Sequence, residues 1–253
     1  MQRCSPTDML AAERPIPGPG GGPPEDRVES AYRALIAERE PAEVRLLYDL
    51  LRSKYCRIQR LAGVGGPPLE PTVDDLLADL LPGQALREAA LADNPPELWV
   101  DLVRTVGSAS FRPGQLSELA ARIRGVPEGT AQDLAAELAH GAAPDRFGLW
   151  TRWVWNPQRG TGALRGLVSD PPADVEQLQV ELGRIRFALA RLGASSSTFA
   201  YVDLLLAFEL ERAMDRFVRG AFRGGGIESL LPAGGDTAAM ILRVRGGYLR
   251  ARR

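Results

Sequence analysis

The sequence predicts an all-α protein: a compact multi-helix bundle of short orthogonal helices, with an N-terminal helical hairpin and a disordered leader. Three observations carry this. Apolar residues recur at spacings of three and four through most of the chain. Pro and Gly signals such as "DNPPE" (93–97) and "FRPGQ" (111–115) cut those stretches into short pieces. Alternation of strand type is scarce, with "AAMILRVRGGYLRAR" (238–252) as the one plausible short strand.

In chain order, "RPIPGPGGGPPE" (14–25) holds too little apolar surface and too much Pro and Gly for a packed helix, so residues 1–24 are expected to be a disordered leader. A helical hairpin is expected over 25–62. Val28, Tyr32, Leu35 and Ile36 form one stripe, and Val44, Leu47, Leu51, Tyr55, Ile58 and Leu61 form the other. The second helix opens with Pro41 near its first position and stops at Gly63. "GVGGPPLEP" (63–71) reads as a linker, and 72–253 as the main helical domain.

That domain begins with "TVDDLLADLL", where Thr72 and Asp75 make a weak capping box. Short helices are expected near 84–92, 96–106, 114–123 and 129–139. "PDRFGLWTRWVWNP" predicts another from Asp145 to Trp155, ended by Asn156-Pro157. After an irregular stretch at 158–172, two longer helices follow. Leu178, Leu182, Ile185 and Leu189 share a face of the first, and the second is apolar nearly all round in its first half, as a central buried helix is.

Composition excludes several function classes. The 253 residues are 45% hydrophobic and 25% charged, which suits a soluble globular core. Net charge is -1, so attraction to a polyanion has to be local. Lys54 is the only lysine among 31 basic residues, a skew that fits GC-rich coding as well as a use for bidentate arginines. Cys4 and Cys56 lie far apart and predict no disulfide scaffold. His140 is the one histidine and there is no Cys-x-x-Cys, so neither a metal site nor a cofactor is expected. His140 falls just before Gly141, where an imidazole favours a helix C-terminus. Residues 1–9 lack the apolar run of a signal peptide, and "FAYVDLLLAFEL" (199–210) is too short for a bilayer and carries Asp203 and Glu209. A cytoplasmic location and no membrane partner are the expectations.

The chemistry-bearing stretch is "RIRGVPEGTAQDLAAEL" (122–138). Leu116, Leu119, Ala120 and Ile123 precede the turn Gly125-Val126-Pro127-Glu128-Gly129, and Thr130, Ala131, Leu134 and Leu138 follow it. This resembles the helix-hairpin-helix element of DNA-repair proteins over residues 116–138. Gly125, Val126, Thr130 and Ala131 match, while Pro127 replaces the second glycine and removes an amide donor. The resemblance implies close approach of the glycine backbone to DNA, with amides of the second helix turned toward a phosphate. Gly129 stands where the bifunctional glycosylases carry a lysine, so no Schiff base is implied. Asp145 is left as the lone carboxylate, and its ordinary role is a helix N-cap. The same residues also resemble the helix-turn-helix of sigma-factor-type regulators, which implies Glu128, Thr130, Gln132 and Asp133 at the start of a recognition helix. Arg124 is then an extra residue, and Glu128, Asp133 and Glu137 oppose phosphate.

Three of the four tryptophans, Trp150, Trp153 and Trp155, fall within six residues. They read either as core glue or as a stacking platform, with Arg152 and the Arg159 loop "RGTG" beside it. From Asp215 onward, eight arginines face three carboxylates, a basic surplus able to meet phosphates. Three functions are consistent with these features. The first is a non-catalytic nucleic-acid-associated protein that meets the phosphate backbone, with DNA as the partner, through Arg124, Gly125, Val126, Gly129, Thr130, Gln132, Arg152 and Arg159. The second is a helical adaptor or assembly subunit that contacts protein through the 25–62 hairpin and the tryptophan segment. The third is a lysine-less relative of the repair glycosylases with Asp145 as its only nominee.

Overall fold

In the computed structural model, residues 24–61, 63, 73–81, 83–194, 198–221 and 234–251 are described. The leader expected over 1–24 lies outside them except for Pro24, as does most of the 63–71 linker together with Thr72.

The described chain is all-α, with eleven helices and no strand. They are α1 (Pro24–Glu38), α2 (Pro41–Leu61), α3 (Val73–Leu80), α4 (Gln84–Asp93), α5 (Pro96–Gly107), α6 (Leu116–Ala120), α7 (Glu128–Ala142), α8 (Val175–Arg191), α9 (Ala200–Ala221), α10 (Gly234–Ile241) and α11 (Arg245–Ala251). Proline opens α1, α2 and α5, where a missing amide hydrogen costs nothing. Asp174 caps α8, its carboxylate accepting from the Gln177 amide at 2.8 Å.

Three apolar clusters hold these elements together. One joins Val28, Ala31 and Leu35 of α1 to Leu178, Leu182, Ile185 and Leu189 of α8, to Val202, Leu205 and Leu206 of α9, and to the 149–168 segment. A second packs α3 to α7 around Trp99, Leu102, Leu134 and Leu138. The third closes α2 and α9 over α10 and α11 through Leu51, Leu204, Leu242 and Tyr248. The N-terminal hairpin therefore lies against the body: α1 meets α8, with Arg191 Nη1 2.8 Å from the Glu25 carboxylate, and Ile58 of α2 belongs to the second cluster.

Two expected elements are different in the structure. Residues 145–155 are not a helix but a series of turns. Side chains from elsewhere take the backbone groups that a helix would use. The Gln179 amide accepts from Gly148 N at 2.8 Å and donates to Gly148 O at 2.9 Å, and Asp133 accepts from Arg152 N at 2.9 Å. Asp145, expected as the N-cap of that helix, is an exposed turn residue whose carbonyl accepts from Arg186. The candidate strand at 238–252 is instead α10, a turn at Arg243 and α11. Ala238, Ala239, Leu242 and Tyr248 are buried there at helical spacing against α2 and α9. The helix expected over 114–123 is shorter: a 3-10 turn at Pro113–Gln115 leads into α6, and the chain turns from Ala121 onward.

Candidate functional site

The turn between α6 and α7 is built as its glycines require. Gly125 has φ +74°, a left-handed conformation that a side chain resists. A Cβ there would also come within 2.6 Å of both the Ala89 carbonyl and an Asp93 carboxylate oxygen. Asn94 fixes the turn from the end of α4: its Oδ1 accepts from Arg124 N at 2.9 Å and its Nδ2 donates to Arg124 O at 2.8 Å. The backbone at Arg124 and Gly125 thus faces a helix C-terminus and the carboxylate of Asp93. Val126 is half-buried against the second cluster.

The helix that follows is not a surface element. From Leu134 to Gly141 every residue of α7 is buried, so only its first turns reach solvent. The amides of Thr130 and Ala131 are taken by the Pro127 carbonyl at 2.8 and 3.0 Å. The Arg152 guanidinium lies over Gly129, where a Cβ would come within 2.6 Å of Nη1. Arg152 is itself bound by Asp133, with Nε at 3.0 Å and Nη2 at 2.9 Å from Oδ2. Arg122 pairs with Asp101 at 2.5 Å. Arg159 sits apart, in the tight loop closed by the Asn156–Thr161 bridge, where its amide donates to Asn156.

The structure does bring Gln132 and Arg152 together, on the wall of an open cleft of about 180 Å³. Leu116 and Ser117 of α6, Gln132 and Asp133 of α7, and Trp150, Thr151, Arg152 and Trp155 of the turn segment line it. Trp150 packs against both the first and the second apolar clusters, so the cleft marks their seam. Trp155 is anchored by its indole N–H, which donates to the Pro172 carbonyl at 3.1 Å. Thr151 is 2% exposed, and its hydroxyl has no hydrogen-bond partner although its carbonyl accepts from Val154 N and Trp155 N. Ser117 and Thr151 carry no local sequence signal, since they join the cleft only by tertiary packing.

A second polar constellation lies inside the bundle. His140 of α7, Tyr55 of α2 and Asp203 of α9 are each 3% exposed or less. His140 Nδ1 is 2.7 Å from the Phe147 carbonyl, which can only accept, so Nδ1 carries a proton. Nε2 is 2.7 Å from Asp203 Oδ2 and 2.9 Å from the Tyr55 hydroxyl, which donates to the same carboxylate oxygen. Burial alone would lower the imidazole, but the Asp203 charge, its hydrogen bond and the Phe147 carbonyl outweigh it and raise His140 above its ordinary value. Burial and the neighbouring carboxylate push the Tyr55 phenol well up. His140 does lie in the last turn of α7, as expected, and its ring in addition joins Tyr55 of α2 and Asp203 of α9, so this contact ties three helices together.

Beside it, Lys54 Nζ is 2.6 Å from Glu137 Oε2 and donates to the Leu242 carbonyl at 3.3 Å, and Arg243 Nε is 3.5 Å from Glu137 Oε1. Burial would raise the Glu137 carboxyl, yet the Lys54 and Arg243 charges hold it below its usual value. Arg243, counted in the basic surplus, therefore points inward, with its guanidinium also bonded to the Leu80 carbonyl. The side chains of Arg219, Arg223, Arg245, Arg252 and Arg253 lie outside the described residues.

Among the described residues, no group of three or more His, Cys, Asp or Glu side chains could hold a metal ion, and no helix is long and apolar enough to cross a membrane. No protein-family model matches the chain, and no curated protein or solved structure matches it either.

Proposed function

We propose that this protein is a helical adaptor or assembly subunit, and that the cleft between Trp150 and Trp155 receives an anchor side chain of a protein partner. The observation that carries the reading is the size and wall of the cleft. At about 180 Å³ it is smaller than the roughly 300–1,000 Å³ typical of small-molecule and cofactor sites, and it suits a single side chain. Indole walls with a polar rim are the setting in which one buried anchor carries much of the affinity of an interface.

The charges around the α6–α7 turn support protein over nucleic acid. Phosphate binding draws on uncompensated cations. Here Arg152 is held by Asp133, Arg122 by Asp101, and the glycine backbone faces Asp93.

The test has two arms. Duplex and single-stranded DNA are titrated against the full chain at low salt, with no retardation expected. A displayed peptide library is then selected on the full chain, and the recovered peptides are measured again on Ser117→Trp, which fills the cleft from the exposed face of α6. The adaptor reading expects those peptides to lose binding on that variant. Tight DNA binding that falls steeply with salt, or peptides indifferent to Ser117→Trp, would sink it.

A further inference from the structure

We infer that the outer face of α8 is where a second copy of this chain docks, the two helices packing antiparallel about a two-fold axis at the level of Ile185. None of the residues of this face lines the cleft, so the inference does not rest on what the cleft receives. Exposure comes first. Helix α8 buries Leu178, Leu182, Ile185 and Leu189 and turns Val180, Gly183, Phe187 and Ala190 the other way. Phe187 is 66% exposed and Val180 54%, the two most exposed large apolar side chains among the described residues. Single exposed apolar residues are ordinary, but these two stand seven positions apart, just short of two full turns, and so share one line along the helix. With Gly183 and Ala190 they make the alternating spacing of three and four by which one helix packs on another.

Size comes second. An added Cβ at Gly183 would meet nothing within 4 Å, so packing inside the chain does not require a glycine there. A glycine in mid-helix is less stable than alanine, and its use is to let another chain come close. In an antiparallel pair with its axis midway between positions 183 and 187, the phenyl ring of each Phe187 lies over Gly183 of the other copy, and Val180 lies beside Ala190. A parallel pair sets ring against ring and leaves the space at Gly183 unfilled.

Charge comes third. The outer face is acidic at its beginning, with exposed Glu176, and basic at its end, with exposed Arg191. The antiparallel arrangement brings Glu176 of each copy alongside Arg191 of the other. Arg191 already pairs with Glu25, but both side chains are more than half exposed, so that contact is exchanged at little cost. Arg184, close to the axis, is neutralised by Glu181 of its own helix, which removes the repulsion between the two copies there. The face is thus complementary to itself in size and in sign, as a closed two-fold contact requires.

Contact along one helix face is at the small end of specific interfaces, so a dissociation constant of roughly 10–100 µM is expected, read by sedimentation velocity over a concentration series of the full chain. Phe187→Glu should weaken the dimer at least about tenfold. Gly183→Leu should weaken it by a similar factor without lowering the melting temperature, because leucine favours the helix and its Cβ has open space in its own chain. Glu176→Arg and Arg191→Glu should each weaken the dimer by about threefold to fivefold, since each sets like charges together twice; an equimolar mixture of the two variants should regain the natural affinity, because both pairs are then opposite in sign. Thermal melting confirms that the variants are folded. A chain that stays monomeric throughout the series, a dimer indifferent to Phe187→Glu or Gly183→Leu, or mixed charge variants that associate no better than either alone overturns the inference. The adaptor reading is decided separately, by the peptides selected on the natural chain and measured on Ser117→Trp.

Discussion

Replacing His140 with leucine tests the buried ion pair most directly. Leucine is close in volume to imidazole, so packing changes little and the loss is electrostatic. Asp203 is left with the Tyr55 hydroxyl as its remaining partner, its other carboxylate oxygen is already without one, and the Phe147 carbonyl loses its donor. Removing one member of a buried pair costs about 3–5 kcal/mol, because the surviving charge stays desolvated. With a urea slope of about 3 kcal/mol per molar for a chain of this size, the unfolding midpoint should fall by roughly 1 to 1.7 M. Tryptophan fluorescence reads the transition, since Trp99 is fully buried. A midpoint shift below about 0.3 M would refute the claim that charge holds α2, α7 and α9 together here.

The natural protein should lose stability as pH rises from about 5 to 8. The folded chain holds the His140 proton above its ordinary value, so that contribution is complete below the unfolded pKa and vanishes through the folded one. Glu211 acts in the same direction. Burial pushes its carboxyl to about 7, against the opposing pull of Arg39 and with Glu43 and Asp215 adding to the rise, so its contribution is complete below its ordinary value and is lost as pH approaches 7. Glu211→Gln should flatten the part of the profile below neutrality, as urea midpoints across a pH series will report. Gly125→Ala should cost about 2 kcal/mol or more through the positive φ and the Asp93 contact, which lowers the melting temperature by at least about 4 °C. Arg243 has φ +57°, so Arg243→Gly should be less damaging than Arg243→Ala by about 1 kcal/mol although both lose the Glu137 and Leu80 contacts; matched urea melts compare them. Thr151→Val removes an unpaired buried hydroxyl and should raise stability by about 1 kcal/mol in calorimetry.

Some of the candidate site could be read locally. Gly125 was legible because a tight turn before a helix needs a residue that tolerates positive φ, and the helix after it was legible from its apolar spacing. What that turn packs against was not. Asn94 and Asp93 reach it from 30 positions earlier, and their residue types serve equally well in any solvated loop. Tyr55, His140 and Asp203 come from three helices, and each has an ordinary local explanation that hides the pairing. The tryptophan segment misled for a related reason. Trp150 and Trp153 sit at helical spacing, yet Gln179 and Asp133 take over backbone bonds that local periodicity assigns to a helix.

What the sequence by itself determined is the class: an all-α chain in short segments, ended where Pro and Gly remove donors or permit unusual backbone. Such signals act between near neighbours and survive without the rest of the molecule. Only the tertiary structure decided that α7 is buried from Leu134 to Gly141, that Arg122 and Arg152 are each paired with a carboxylate, and that Trp150 and Trp155 line one cleft. Those outcomes depend on desolvation and on contacts between groups far apart in the chain, and no local pattern of residues encodes them.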